Sequence, residues 1–396
     1  MGSIAQRSAL ILCGDYMEDF EVAVPFYALQ AFGVRVDCVS PNKKSGDKCI
    51  TAVHEFLGFE LYTELPGHKF ELNANFEEVK PESYDALIIP GGRFTELLSV
   101  DEKCLTVVTK FAETGRTILC TCHSQLMLAA AGVLKGKKCT GFGSMKPVIE
   151  LAGGTWWEQS GISSVLDITA CLEDGNILSS IGWPAHGECL NLLFHSIGAQ
   201  ISSPTDTTIS VLFLCGDYVE DYEFNVPFRA LQGLGCRVDA VAPKKKRGET
   251  CVSSIYVDEG GEIPIEKRGH NVYLTADWDE IKVDDYDCVV VPGGRSPELL
   301  IMNSEAISMV KKFGEKEKII AGFGQGQWLL AAASLLQGKR CASSHGMKVT
   351  VELGGGKVAE TEGCVRDGKL LTAAGYRQLP AFVFHLANLL AFSVVF

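Results

Sequence analysis

Apolar residues along this chain gather into short runs separated by helix-like stretches. Ala9 to Cys13 is one such run, and a turn follows it. From about Glu21 to Phe32 the spacing predicts a helix, ended by Gly33. Val34 to Ser40 alternates apolar and polar positions like a strand. Ala86 to Ile89 is wholly apolar and stops at Pro90, and Ile118 to Thr121 runs straight into the helix-forming Gln125 to Ala131. Strands alternating with helices predict an α/β fold, a mostly parallel sheet sandwiched by helices. Ligands of such sheets bind beyond the carboxyl ends of the strands. The segments 14–21, 90–96 and 122–125 are therefore expected to converge.

The whole pattern occurs twice. At one constant offset, Gly14-Asp15-Tyr16 matches Gly216-Asp217-Tyr218, and Glu21 matches Glu223. The same offset pairs Pro90-Gly91-Gly92-Arg93 with Pro292-Gly293-Gly294-Arg295, and Gln125 with Gln327. Beyond Gly154 the second copy is shorter, so that Asp174-Gly175 matches Asp367-Gly368. Two tandem domains follow, over residues 7–200 and 209–396. The polar stretch Ser202 to Thr208 reads as part of a linker at 201–208. A chain of 396 residues suits two domains of that size.

A net charge of −13 disfavours nucleic acid, whose binding needs Lys and Arg on phosphates. The basic run Lys244-Lys245-Lys246-Arg247 matches Asn42-Lys43-Lys44 in the first copy and reads as a solvated loop. Apolar stretches such as Leu126 to Leu134 are too short for a membrane span. The segment Met1 to Gln6 has no apolar signal region. The 15 cysteines are accordingly expected to be reduced thiols, most of them small core residues, in a cytoplasmic protein with a nuclear location also open.

The candidate chemistry lies in Cys120-Thr121-Cys122-His123-Ser124-Gln125. A residue at a sharp strand-to-helix turn stands above the sheet, with the next backbone N–H free for an oxyanion. A cysteine there faces the positive end of the helix, and its pKa is expected to fall to roughly 5–6. Cys120, on the strand, reads as a buried small residue. A metal held by Cys120, Cys122 and His123 is not expected, since no second ligand pair accompanies them.

Glu21, the Pro90-Gly91-Gly92-Arg93 turn with Glu96, and Cys122-His123-x-Gln125 together resemble the PfpI/DJ-one superfamily. The resemblance covers each half once, in the tandem arrangement of plant members. It implies two flavodoxin-like, class I glutamine-amidotransferase-like domains with a nucleophile elbow and no cofactor. It implies Cys122 as nucleophile or redox thiol, Glu21 as its carboxyl partner and His123 as a proton carrier. The amides of Gly91, Gly92 and His123 become oxyanion donors, and His186 a pocket histidine. Glu96 resembles a carboxylate that reaches a neighbouring copy's cysteine, but serves equally as a solvated helix-start residue. A carboxyl group beside a thiolate is stable only if it keeps its proton, so Glu21 and Cys122 are expected to share one.

In register, the second copy has Gly324 for Cys122, Gln325 for His123, Gly326 for Ser124 and Leu379 for His186. Glu223 and Gly293-Gly294 remain as the shell of a degenerate site with no thiol. The first elbow also departs from the family's usual Cys-His-Gly-Gln: Ser124 replaces the glycine, where a Cβ can strain the turn or fill the pocket, and because serine is small the expected effect is tuning of the site, not collapse. The resemblance implies an oxidative or carbonyl-stress protein with glutathione-independent glyoxalase activity on methylglyoxal. The alternatives are a non-catalytic redox sensor or chaperone-like protein that oxidises Cys122, or an amidase or peptidase. The expected partners are a small dicarbonyl or an oxidant. The two domains are expected to form an internal pseudo-dimer, which assembles further into homo-oligomers.

Overall fold

A computed structural model describes residues 6–58, 61–203, 207–260, 263–360 and 363–396. It divides into two compact units, the first running to Gln200 and taking in Val394–Phe396, the second spanning Ile201–Ser393.

In the first unit, β1 (Ser8–Leu12) leads through a tight turn into α1 (Asp19–Ala31) and then β2 (Arg35–Val39). A short hairpin, β3 (Phe56–Leu57) and β4 (Leu61–Tyr62), precedes β5 (Ala86–Ile89). Next come α2 (Phe94–Leu98), α3 (Glu102–Glu113), β6 (Thr117–Thr121) and the six-residue α4 (Gln125–Ala130). The unit closes with β7 (Cys171–Asp174), β8 (Ile177–Ser180) and α5 (His186–Ser196). The sheet order is β7-β8-β6-β5-β1-β2, parallel throughout except for β7 against β8.

Every residue of β1, β5, β6 and β8 is buried, because helices cover both faces of the sheet. That is why these strands are continuous apolar runs, while β2 alternates. Helix α3 turns Cys104, Val107, Val108 and Phe111 inward and its charges outward. Helix α1 starts two residues before the sequence pattern suggests, because the Glu18 carboxylate caps it by accepting the Glu21 N–H at 2.7 Å.

The second unit repeats this plan with β9 (Ser210–Leu214), β10 (Arg237–Val241), β11 (Cys288–Val291), β12 (Ile319–Phe323), β13 (Cys364–Asp367) and β14 (Leu370–Ala373). Their order, β10-β9-β11-β12-β14-β13, matches that of the first sheet. One core cluster packs Leu212, Val289, Val291, Phe313, Leu329 and Leu336 between this sheet and its helices. The expected linker begins as strand, since Gln200–Ser202 is extended and paired. Its residues 204–206 lie outside the described residues. All 15 cysteines are free of disulfides, and only Cys171 and Cys364 are not buried. Among the described residues no helix is long and apolar enough to cross a membrane.

Candidate active site

The three segments singled out in the sequence meet at the carboxyl ends of β1, β5 and β6. The Glu18 N–H donates to the Gly91 carbonyl at 2.9 Å, and Met17 bridges Gly92. Gly92 has a φ of 102°, and a Cβ there would strike the Tyr16 carbonyl, so only glycine fits the turn. Cys122 sits at the elbow between β6 and α4 with a φ of 55°, an uncommon conformation for a residue with a side chain. Two backbone bonds hold it there. Its N–H donates to Ser180 O at 3.1 Å, and its carbonyl accepts the Phe142 N–H at 3.0 Å.

Ser124 neither strains the turn nor fills the pocket. Its φ is −66°, so the left-handed step falls on Cys122 instead. Its buried hydroxyl donates to Thr121 O at 2.7 Å and accepts the Thr121 N–H at 2.7 Å, stitching the end of β6 to the first turn of α4. At the matching position of the second unit a Cβ on Gly326 would collide with the Val291 carbonyl. The two elbows therefore differ in shape as well as in sequence.

Around Cys122 the polar groups are closely placed. Its Sγ lies 3.1 Å from His123 Nδ1, and His123 Nε2 lies 3.1 Å from Ser144 Oγ. Burial lowers the His123 pKa to about 4, so its ring is neutral near pH 7. In the tautomer whose Nε2–H donates to Ser144 Oγ, Nδ1 is the acceptor for the thiol proton. Glu21 is buried, and its Oε2 accepts the Gly91 N–H and the Thr121 hydroxyl, each at 2.6 Å.

Two sequence expectations change here. The Cys122 thiol is not a resting thiolate. Burial pushes its pKa well up, and the Glu21 and Glu18 carboxyls push it further, against the His123 and Gly92 N–H groups. The six-residue α4 gives too little aligned backbone to reverse that. The Gly91 amide, expected as an oxyanion donor, is occupied by Glu21, which leaves the Gly92 and His123 amides facing the sulfur.

The remaining predicted residues are spread more widely. His186 opens α5 and is buried, beside the Gly182 turn that faces Glu21 Oε1. Glu96 is exposed on α2, where it lines an outer groove of about 810 Å³ with Gly14, Tyr16 and Arg93. Cys120 is fully buried on β6, its Sγ 3.4 Å from Leu178 O. In the second unit Glu223 Oε2 accepts the Gly293 N–H at 2.8 Å. Burial and the neighbouring Glu220 push the Glu223 carboxyl pKa well up. At Gly324 a Cβ would meet only ordinary contacts, 3.7 Å from Ala374 O and 3.9 Å from Glu223 Oε1, and the Gln325 carboxamide reaches over Gly293.

Several residues of the site escape a reading by motif: Thr121, which holds Glu21; Ser144, which holds His123; and the rings of Tyr62 and Phe142. The register offered one signal. These positions are Phe323, Gly346, Pro264 and Ser344 in the second copy, so all four change where the cysteine is lost.

A family model described as DJ-1/PfpI family matches residues 7–194 and again 209–389. "DJ-1 protein homolog E" of Arabidopsis thaliana is 58% identical over 398 residues, covering 100% of both chains. "DJ-1 protein homolog F" of the same plant is 57% identical, again over 100% of both. "Deglycase TK1284" of Thermococcus kodakarensis is 31% identical over 147 residues, which is 37% of this chain and 79% of that one.

Proposed function

The chain belongs to the DJ-1/PfpI family, and from that premise we propose that it is a carbonyl-stress protein whose first domain converts small dicarbonyls without glutathione. The observation that carries this reading is the Cys122–His123 pair: a protonated thiol 3.1 Å from a neutral imidazole nitrogen. His123 takes the thiol proton as sulfur attacks the aldehyde carbon of methylglyoxal, so the nucleophile is generated at the moment of use. The S–C bond forms, the carbonyl oxygen becomes an alkoxide held by the Gly92 and His123 amides, and the proton passes to it, giving a hemithioacetal. Glu21 or His123 then moves the proton of that carbon to the adjacent carbonyl carbon, while the hemithioacetal hydroxyl proton passes to that carbonyl's oxygen, leaving a thioester of the 2-hydroxy acid. Water hydrolyses the thioester to lactate and frees the thiol, so the net reaction adds one water. A relative that carries the name deglycase lends support to carbonyl chemistry.

The redox-sensor reading uses the same thiol but has less support, because sensor cysteines are exposed and of low pKa. Cys122 is 7% exposed and its pKa is raised. The deciding measurement is methylglyoxal consumption without glutathione by the wild-type chain and by Cys122→Ser. The variant should fall to background. Equal rates would sink the catalytic reading.

A further inference from the structure

Above Cys122 the first domain places three rings at positions where the second copy has no aromatic residue. Phe142, anchored by its N–H to the Cys122 carbonyl, stacks on His123 at 5.3 Å and 26°. Tyr62 stands edge-on to both, 5.2 Å from each. Phe56 closes the far side, 6.1 Å from Phe142 and 6.0 Å from Trp183. A Cβ on Gly182 would lie 3.4 Å from Glu21 Oε1 and 3.5 Å from Phe56 Cζ, so this ring reaches the carboxyl side of the site. In register, Phe56, Tyr62 and Phe142 correspond to Asp258, Pro264 and Ser344. A wall kept only as core packing would be needed equally by both copies, yet this one is present only beside the thiol.

The floor of the site is fixed by the Gly92 and His123 amides and by Glu21. With Cys122 Sγ 3.1 Å from His123, whose ring packs against Phe142 and Tyr62, a carbonyl carbon bound to that sulfur with its oxygen on those amides carries its substituent beside the rings.

Resting on the dicarbonyl reading above, we propose that this wall selects free α-oxoaldehydes with an apolar substituent over hydroxylated, sugar-derived dicarbonyls and over adducts carried on proteins. A hydroxyl turned against the Phe56 and Phe142 rings loses its water and gains no partner from them, which costs on the order of tenfold in rate per group. An adduct on a protein surface cannot reach a thiol that is 7% exposed.

The test compares 2-oxobutanal with 3-hydroxy-2-oxopropanal, which differ by a methyl for a hydroxyl, using the full chain without glutathione. The apolar substrate should have a kcat/KM about tenfold higher, and 3-deoxyglucosone should be weaker still. Phe142→Ser, the residue of the second copy, should shrink the first ratio toward one while circular dichroism stays that of the wild type. Equal kcat/KM for the pair in wild type, or a ratio unmoved by Phe142→Ser, overturns the proposal. Protection of Cys122 from iodoacetamide by each aldehyde reads the same preference without turnover. Failure of the catalytic reading, seen as Cys122→Ser matching wild type, is thereby distinguished from failure of the selectivity.

Discussion

At Ser124 one hydroxyl serves as donor and acceptor to the same residue, Thr121, at 2.7 Å each way. Losing both bonds in Ser124→Gly and adding backbone freedom should cost about 1–3 kcal/mol. Calorimetry should show a Tm lowered by several degrees, and an unchanged Tm would refute the stitching role. His123 gives a pH signature. Its folded pKa of about 4 lies below the ordinary histidine value of about 6.5. Between those values the unfolded chain binds more protons, so stability is present above about pH 6.5 and is lost as pH falls toward 4. Denaturant midpoints of wild type and His123→Gln, measured from pH 7 to pH 4.5, should converge or cross as the wild type loses this contribution. The predicted low-pKa thiol failed at this scale. Exposure was inferred from an elbow position, whereas burial among Glu21, Glu18 and the rings decides the proton.

Among the elements, the turns carry more of the site than the helices do. The Gly91-Gly92 turn receives Glu18 and Met17 from the loop before α1, and Gly92 leaves no room for a Cβ beside the Tyr16 carbonyl. Gly92→Ala should therefore destabilise the chain by about 1–3 kcal/mol and slow iodoacetamide labelling of Cys122 or speed it, as the amide facing the sulfur moves. Wild-type values for both would show the turn to be tolerant. Strand β5 was legible to the residue, since a fully covered strand is apolar at every position and Pro90 ends it. The β3–β4 hairpin was not legible. Its two-residue strands are too short for a period of two to register, and its role depends on Phe142 and Trp183, which lie far along the chain.

For the whole molecule the duplication predicts one reactive site per chain. Glu223→Gln should keep methylglyoxal consumption within about twofold of wild type, as expected for residues of separate units that do not couple. Burial raises the folded pKa of Glu223 above its unfolded value, so its contribution to stability is fully present below the ordinary carboxylate pKa and lost as pH rises. The variant should consequently gain on wild type between pH 5 and pH 8, and a flat difference would contradict a retained proton. The repeat, the order of strands and helices, the place of the elbow and the loss of its thiol in the second copy were all readable from the order of the residues. These are local or periodic properties, written in which residues stand where. That Cys122 rests protonated, that Glu21 takes the Gly91 amide and that aromatic rings close over the thiol emerged with the folded chain. Desolvation and hydrogen-bond competition arise from groups brought together from distant segments, and no single segment's pattern encodes the sum.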